Sequence, residues 1–380
     1  MAVRISPTLS GMATYPFVRL EEARRRLSAD GVDVIDFGKG DPNEPTDPII
    51  RQALVDALPE RAPYPLAAGL PELREAAAAW CARRFGVELD PETEIVPTYG
   101  SKEAIFSLAQ VLVDSGSEKR TVVFGEPAYP VYERGALFAG ATVRTLPLER
   151  ENGFLPELDS LGDDTAIFWV NYPNNPTGAV APLAFYEQLA ELAERHDFVV
   201  ASDEAYSELW FDEPPPSALQ VADRSRVIVF QTLSKRSSMT GYRSGFVAAP
   251  ADVIAALKAY RPTVGTAPQE FVQRASVVAW NDERHVEETR ARYGAKREVL
   301  LPVLAAKGWE VVASEATMYL WVAIPTGEGA EEVALRLLEH GLIVSPGTFF
   351  GPSGAGYVRF ALVPTLGECV RAAAILEEHL

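Results

Sequence analysis

Cysteine is scarce in this sequence of 380 residues, which contains only Cys81 and Cys369 beside four histidines. No C-x-x-C pair is present, and no histidine stands at metal-ligand spacing from either cysteine. The sequence therefore indicates neither a disulfide framework nor a thiolate metal site, and we expect no bound metal. Both cysteines are predicted to be buried as small hydrophobic residues.

Long apolar runs are also missing, because no stretch approaches the about 18 consecutive apolar residues of a membrane span. The N-terminal residues 1–17 contain no continuous apolar segment behind a basic one, so no secretory signal is predicted. Hydrophobic residues make up 47% of the chain and charged residues 23%, which is typical of globular proteins. We therefore expect a cytoplasmic protein without a membrane partner.

Basic residues are outnumbered, with 35 Lys and Arg against 53 Asp and Glu, so the formal net charge is -18. Such a field repels phosphate backbones and anionic lipid, and nucleic acid is therefore not expected as a partner. An anionic substrate would be repelled at long range as well. It would need a pocket built locally from specific Arg and Lys side chains.

What the sequence does contain is a regular alternation of two patterns. Short β-branched runs bounded by turn residues occur at 121–124, 141–146, 166–170, 198–202, 227–231 and 246–249. Amphipathic helical stretches such as residues 183–194 separate most of them. This alternation predicts an α/β domain with a mostly parallel, doubly wound sheet, whose ligands bind beyond the carboxyl ends of the strands.

The pattern changes near residue 285, and the chain is long enough for one large and one smaller domain. From there a charged helical stretch is followed by short strands and another amphipathic helix, which predicts an α+β lobe. Residues 1–47 end in a turn-rich run and are predicted to cross over to that lobe. We therefore predict a large domain over 48–284 and a small domain made of 1–47 and 285–380.

Four polar clusters follow predicted strands or begin helices. In the first, Gly100 permits a close turn, Ser101 is a natural helix N-cap, and Lys102 follows it. Free N–H groups at a helix start suit a phosphate, although a plain capped helix is the alternative. The second is the loop at 171–178, which a run of turn-forming residues also explains.

The third and fourth clusters add charge at the strand ends. Asp203 ends an apolar strand, where a carboxylate is costly unless it meets a cation. Lys235 lies among hydroxyl residues, and Arg243 follows eight positions later. Hydroxyls and arginine can form a phosphate cradle, and lysine can form a Schiff base, whereas a solvated basic loop is the alternative.

At these clusters the chain resembles the fold-type I, pyridoxal-phosphate-dependent aminotransferases of the aspartate aminotransferase superfamily, over nearly its whole length. The resemblance implies a pyridoxal 5'-phosphate cofactor, small amino acid and 2-oxo acid substrates, and a homodimer. It implies that Lys235 carries the Schiff base and that Asp203 pairs with the pyridinium nitrogen. It further implies that Asn175 and Tyr206 bond the 3'-oxygen and that Tyr129 stacks on the ring.

The remaining cofactor and substrate contacts are carried over in the same way. By resemblance the phosphate is bound by the start of the helix at Gly100 together with Ser101, Lys102, Ser234 and Arg243. Tyr64 resembles the tyrosine that reaches the phosphate from the partner subunit. Arg359 resembles the arginine that clamps the substrate α-carboxylate, with Asn175 and Gly40 beside it. Two positions depart from the usual pattern, since Thr232 stands where Gly or Ser is common and Ser244 where an apolar residue is usual.

A narrower resemblance is to the N-succinyldiaminopimelate aminotransferases of lysine biosynthesis. The stretches that carry it are residues 15–17, 64–70, 100–106 and 345–357. It implies a long donor with additional carboxylates and transfer of the amino group to 2-oxoglutarate. Lys39, Arg19 and Arg236 are candidates for binding its distal end.

Other functions remain compatible with these residues. An aminotransferase of broader specificity, acting on aspartate, alanine or aromatic donors, shares most of the same motifs. A lyase or decarboxylase on the same cofactor scaffold is not excluded by the lysine motif, and product analysis separates the two. A cofactor-binding regulator would need an attached DNA-binding module, for which the segment before Gly38 leaves no room.

Overall fold

The computed structural model describes residues 3–12, 22, 24–27, 29, 31–325 and 327–380. Arg19 and the stretch 15–17, which were singled out above, lie outside the described residues. In the part of the chain that is described, no helix is long and apolar enough to cross a membrane.

A seven-stranded sheet with the order β2-β8-β7-β6-β5-β3-β4 forms the centre of the fold. The strands from β4 across to β7 are parallel, whereas β8 runs antiparallel to both of its neighbours. The predicted α/β class with a mostly parallel sheet is thereby confirmed. The strands are β2 (Ile95–Thr98), β3 (Thr121–Glu126), β4 (Thr142–Pro147), β5 (Thr165–Asn171), β6 (Val199–Asp203), β7 (Val227–Thr232) and β8 (Gly245–Ala248).

Both faces of this sheet are covered, which explains the nearly continuous apolar strands. Val123 and Phe168 belong to one hydrophobic cluster, and their strand neighbours Val122 and Trp169 belong to another on the opposite face. Both cysteines are buried and free, as expected from the sequence. Helices before residue 284 include Pro7–Ser10, Pro48–Asp56, Pro71–Phe85, Ser101–Leu112, Val131–Phe138, Leu183–His196, Leu233–Arg236, Ala251–Thr263 and Glu270–Asn281.

A second, antiparallel sheet of four strands has the order β12-β13-β10-β9. Its strands are β9 (Glu310–Ala313), β10 (Tyr319–Ala323), β12 (Ser345–Pro346) and β13 (Tyr357–Ala361). The same C-terminal part of the chain contains three long helices, Arg284–Ala306, Ala330–Glu339 and Leu366–His379. A hydrophobic cluster that includes Leu304, Leu320, Phe360 and Leu376 forms the core of this lobe.

The N-terminal segment joins this C-terminal lobe through a short parallel pair. Strand β1 (Ile35–Asp36) pairs with β11 (Leu342–Ile343), with Ile35 opposite Leu342. Phe37 extends the contact, since its N–H donates to the carbonyl oxygen of Ile343. The loop that follows Phe37 is thereby held against the C-terminal lobe. The domain boundaries at 48 and 285 stay a prediction.

The parallel strands bring their carboxyl ends to one edge. In the register of the sheet Asn171 lies opposite Asp203, and Asp203 lies opposite Phe230 of the next strand. The segments after β5, β6 and β7 therefore meet at this edge, as expected for a doubly wound sheet.

Candidate active site

A cavity of about 480 Å³ opens at this edge of the sheet, within the usual size range of small-molecule sites. Residues of all four predicted clusters line it, together with the loop at 39–41 and three single residues, Tyr129, Tyr319 and Arg359. The predicted site residues that line it are Lys39, Gly40, Ser101, Lys102, Tyr129, Asn175, Asp203, Tyr206, Ser234, Lys235, Arg243 and Arg359.

The short helix Leu233–Arg236 presents the lysine to this cavity. Its N-cap is Thr232, whose hydroxyl oxygen accepts a hydrogen bond from the N–H of Ser234. Thr232 can therefore replace Gly or Ser at this position, because it supplies the cap that begins the helix. The other unusual residue, Ser244, is also bonded, since Ser276 Oγ donates to its hydroxyl over 2.7 Å.

Lys235 is partly buried, and its ammonium group donates to the carbonyl oxygen of Gly40. Burial lowers the pKa of Lys235 to about 8, and the nearby Asp41 carboxylate opposes this change. The guanidinium groups of Arg359 and Arg243 lower the pKa further. With a pKa of about 8, roughly one tenth of the lysine is the free amine at pH 7, far more than for a solvent-exposed lysine, which suits a nucleophile and a proton carrier.

Asp203 ends β6 and faces the cavity with 5% of its surface exposed. Burial raises the pKa of its carboxyl group to about 6. Tyr132 Oη donates to Asp203 Oδ2 over 2.8 Å and holds the pKa of Asp203 lower than burial alone would. The Tyr132 ring is stacked on Trp169, so its hydroxyl is held in place. Sequence reasoning missed Tyr132, because it lies on a helix and not at a strand end.

The loop after β5 connects Asp203 to the predicted carboxylate clamp. Asn171 donates to the carbonyl oxygen of Asp203 over 2.7 Å and accepts from the N–H of Asn175 over 2.9 Å. Asn175 Oδ1 in turn accepts from Arg359 Nη1 over 2.9 Å. Arg359 Nη2 donates to the carbonyl oxygen of Gly38 over 2.7 Å. The guanidinium is thus oriented by hydrogen bonds from two sides.

The residues predicted to form a phosphate cup lie together at the start of the helix Ser101–Leu112. Gly100 has φ of +73° and packs against Arg243, whose guanidinium occupies the space that a Cβ would need. Glycine is therefore required there, and Gly100 supports the cup although it does not line the cavity itself. Burial lowers the pKa of Lys102, and Arg243 and Arg134 lower it further. These clustered cations at a helix N-terminus suit a dianion.

Two lining residues were not singled out in the sequence. Asp41 lies close enough to Lys235 to influence its pKa. Tyr319 on β10 lies with its hydroxyl 2.8 Å from that of Tyr206. Burial raises the pKa of Tyr206 well above its usual range, so this phenol remains a hydrogen-bond donor. The sequence signal for Tyr319 would have been the alternation of side chains along β10, combined with the pairing of β10 with β13.

Two predicted residues lie elsewhere. Tyr64 is fully exposed and does not reach the cavity of its own chain. The proposal that Arg236 binds the distal end of a substrate is not supported, because its buried guanidinium donates to the carbonyl oxygen of Ala279 and to Glu283. It also lies over the Trp280 ring at 5.1 Å, so it belongs to the packing of the large domain.

The chemistry of these side chains fits pyridoxal phosphate. A cationic cup suits the phosphate, and the buried Asp203 carboxylate needs a cation, which a protonated pyridine nitrogen supplies. Lys235 provides the amine, and Tyr129 provides an aromatic surface beside Lys102, whose ammonium lies 5.7 Å from the ring centre. Among the described residues no group of three or more acidic, histidine or cysteine side chains is placed to hold a metal ion.

Comparisons with known proteins give the family that this chain matches. The family described as aminotransferase class I and II matches residues 32–376. The LL-diaminopimelate aminotransferase of Aquifex aeolicus is 41% identical over 371 residues, which is 95% of this chain and 95% of that protein.

Two solved structures from Thermus thermophilus share the fold. The aspartate aminotransferase with maleate has a TM-score of 0.92 and 30% identity, and the match covers 100% of both chains. The probable N-succinyldiaminopimelate aminotransferase has a TM-score of 0.88 and 32% identity, covering 96% of this chain and 100% of that one.

Proposed function

Because this chain belongs to the aminotransferase class I and II family, it is a pyridoxal-phosphate-dependent transaminase, and we propose that its amino donor is LL-diaminopimelate. We propose 2-oxoglutarate as the acceptor and a cytoplasmic location in lysine biosynthesis. The names of relatives such as the Aquifex aeolicus enzyme support this donor, which replaces the N-succinylated donor expected from the sequence.

The chain's own residues can perform the steps of transamination. The bound cofactor supplies an electron sink that stabilises the negative charge left when the Cα proton of the donor departs. Asp203 would hold the protonated pyridine nitrogen by a charge-assisted hydrogen bond. Arg359 would hold the α-carboxylate and so orient the Cα–H bond. Lys235, with a pKa of about 8, would accept that proton from Cα and deliver it to atom C4' of the cofactor.

The observation that supports LL-diaminopimelate as the donor is a pair of opposite charges on the loop after β1. Lys39 and Asp41 line the same cavity as Arg359 and Lys235. LL-diaminopimelate has a second amino acid end, with one ammonium and one carboxylate group. Asp41 can bind the ammonium and Lys39 the carboxylate, whereas a single charge of either sign would match only half of that end.

The N-succinylated donor is the second candidate, and the similarity to the probable Thermus thermophilus enzyme favours it. Succinylation converts the distal ammonium into a neutral amide and adds a carboxylate. That carboxylate would lie near Asp41 in a protein whose net charge is already -18. Repulsion between the two would weaken binding, which is why the free donor is preferred in this proposal.

A donor panel tests this proposal. We would measure glutamate formation from 2-oxoglutarate with LL-diaminopimelate, its N-succinyl form, aspartate, alanine and phenylalanine. LL-diaminopimelate should exceed the short donors in kcat/KM by about a hundredfold, because two charged hydrogen bonds at roughly 1.5–3 kcal/mol each orient the long donor only. An equal or better rate with aspartate would leave a general aminotransferase, and products that lack a new amino acid would point to a lyase.

The charge pair is tested separately. Asp41→Asn should lower the ratio of kcat/KM for LL-diaminopimelate to that for glutamate about tenfold, since glutamate has no distal ammonium and any change in the pKa of Lys235 affects both donors alike. Asp212→Asn removes the same charge from an exposed position and serves as the matched control. If Asp41→Asn has a higher kcat/KM for the N-succinylated donor than for LL-diaminopimelate, the preference of the wild type for the free donor depends on this carboxylate. If the ratio of kcat/KM for LL-diaminopimelate to that for its N-succinyl form is unchanged in Asp41→Asn, Asp41 does not bind the distal ammonium.

We also propose a homodimer with shared active sites. Tyr64 is fully exposed and Leu66 is 74% exposed within one chain, although both lie in a stretch that resembles the phosphate-contacting loop of the family. A second copy would cover them. Light scattering at micromolar concentration should show twice the mass of one chain, and a fully active monomer would contradict the proposal.

A further inference from the structure

We propose that Tyr319 is a positioning residue, which orients the hydroxyl of Tyr206 towards the cofactor and links it to the carboxylate clamp. The inference rests on the proposed function for the cofactor and the reaction but not for the identity of the donor. It is argued from three contacts that Tyr319 makes with residues of separate elements.

The first contact joins two phenols. Tyr319 Oη lies 2.8 Å from Tyr206 Oη, and the two rings meet edge to face with centres 5.4 Å apart. Both side chains are buried, with exposed fractions of 2% and 6%. A buried pair of hydroxyls at this distance shares one hydrogen bond, and the structure permits either one to donate.

Hydroxyl chemistry settles which one donates when the cofactor is bound. A phenol has a single proton to donate and can accept further hydrogen bonds. If Tyr206 donates its proton to the 3'-oxygen of the cofactor, it has none left for Tyr319. Tyr319 must then donate to Tyr206, and the two bonds form a chain in which each strengthens the other. Tyr319 thereby holds the Tyr206 hydroxyl in the orientation that donates into the cavity.

The second contact connects this chain to the clamp. Tyr319 and Arg359 lie on paired strands, because Trp321 of β10 is opposite Arg359 of β13 and Tyr319 is two residues away on the same face. The Arg359 guanidinium lies 4.2 Å from the centre of the Tyr319 ring. A cation on the ring face makes the phenol a stronger donor. A substrate carboxylate on Arg359 would offset that charge and weaken the donation to Tyr206.

The third contact sets the position of the Tyr319 hydroxyl. A Cβ placed on Gly40 would overlap Tyr319 Oη. Gly40 therefore leaves room for this hydroxyl to reach Tyr206. A methyl group at Gly40 would displace it, so Gly40→Ala tests the same inference without altering either tyrosine.

The main test is a pH titration of the visible absorbance of the purified holoenzyme without amino donor. A hydrogen bond to the 3'-oxygen stabilises negative charge there and lowers the proton affinity of the adjacent Lys235 nitrogen. Tyr319→Phe should therefore move the midpoint of the titration upward by roughly 0.3–1 pH unit, which corresponds to part or all of one net hydrogen bond. Gly40→Ala should move it in the same direction.

Tyr293→Phe is the matched control. Tyr293 is also buried, but its hydroxyl has no hydrogen-bond partner among the described residues. Its removal should leave the titration midpoint unchanged, and both variants should bind pyridoxal phosphate. An unchanged or lower midpoint in Tyr319→Phe and Gly40→Ala would overturn the inference, because Tyr206 would then donate without help from Tyr319.

Kinetics separate positioning from packing. Phenylalanine keeps the ring beneath Arg359, so Tyr319→Phe should lower kcat about threefold to tenfold and leave KM nearly unchanged for every donor. Tyr319→Leu removes the ring and should raise KM for donors and acceptors alike, since the guanidinium loses its support. A rise of KM in Tyr319→Phe with an unchanged titration would show a packing role only and would refute the proposal. The titration needs no donor, so it remains decisive even if the donor assignment fails.

Discussion

The cavity has two sides that are built differently. The sheet side consists of residues that follow strands of the seven-stranded sheet or begin its helices, namely Ser101, Lys102, Asn175, Asp203, Ser234, Lys235 and Arg243. The clamp side consists of Lys39, Gly40 and Asp41 together with Tyr319 and Arg359. Local bonds support the sheet side, such as that between Thr232 and the N–H of Ser234. The clamp side depends on distant pairs, such as that between Arg359 and the carbonyl oxygen of Gly38.

This difference indicates a division of tasks. The sheet side presents the predicted phosphate cup, a buried carboxylate and a lysine, which are the groups that we propose to bind the cofactor. The clamp side presents a guanidinium and a pair of opposite charges, which are suited to a substrate. Cofactor binding should therefore fail when the sheet side is changed. Substrate binding should fail, with the cofactor retained, when the clamp side is changed.

The largest expected effect concerns Lys235. Lys235→Ala should abolish transamination and remove the visible absorbance of the lysine-bound cofactor, because no other lysine lies at the end of β7. Absorbance spectra and single-turnover rates of the purified variant check this. Lys307→Ala, on a lysine outside the cavity, should behave like the wild type. Retained visible absorbance of that kind in Lys235→Ala would contradict the assignment.

Asp203 is the next test of the sheet side. Asp203→Ala should bind the cofactor more weakly and slow proton removal by several orders of magnitude, since the protonated pyridine nitrogen loses its counter-ion. Stopped-flow measurement of a single turnover, at saturating cofactor, gives the rate. A loss smaller than tenfold would rule out this role for Asp203.

Arg359 tests the clamp side. Arg359→Ala should raise KM for every amino donor and oxo acid acceptor, with a loss in kcat/KM of roughly a hundredfold or more for each, because one charge-assisted pair is lost in all of them. The cofactor should remain bound, as judged by visible absorbance. If only one substrate is affected, Arg359 binds the distal end and the comparison of the two sides needs revision.

The smallest effect is on the stability of the enzyme without cofactor. Burial raises the folded-state pKa of Asp203 to about 6, above the roughly 3.9 of an unfolded chain, so its contribution to stability is complete below pH 4. That contribution is lost as the pH rises through 6. The asparagine in Asp203→Asn cannot ionise. The free energy of unfolding of the cofactor-free variant should therefore exceed that of the wild type by up to about 3 kcal/mol at pH 8.

Urea denaturation of both cofactor-free proteins at pH 4 and pH 8 checks this expectation. Glu204, whose pKa burial raises to about 7, is present in both proteins and its effect cancels in the comparison. Added pyridoxal phosphate should reverse the order, because it stabilises the wild type through Asp203. A wild type that is the more stable at pH 8 without cofactor would show that Asp203 has a partner in the cofactor-free protein that offsets its burial.

The sheet side could be predicted from sequence to a large extent. Asp203 comes directly after an apolar run and Lys235 four residues after the next one, and parallel strands end at one edge, so their convergence follows from the strand pattern. The phosphate cup was readable for a similar reason, since Gly100 and Ser101 begin a helix. These residues end apolar runs or begin helices, and such local features can be recognised in the sequence.

Tyr132 was missed although it bonds the very carboxylate that the sequence indicated. It is separated from Asp203 by 71 positions, and its hydroxyl reaches Asp203 because the Val131–Phe138 helix packs over the sheet. Arg236 was wrongly suggested as a substrate residue for the same reason. Only packing shows that its guanidinium lies against Trp280 and does not face the cavity.

By itself, then, the amino-acid sequence determined the α/β class, the polar residues that end successive strands, and the set of groups that we propose to bind a phosphate and an aromatic ring. The tertiary structure decided what faces those groups from the other side. Tyr319, Arg359 and the loop from Gly38 to Asp41 meet because β10 pairs with β13 and because the N-terminal strand adds to the C-terminal lobe. The physical reason is range, because helix caps and strand alternation act over a few residues, whereas the clamp is held by contacts between segments about 320 residues apart.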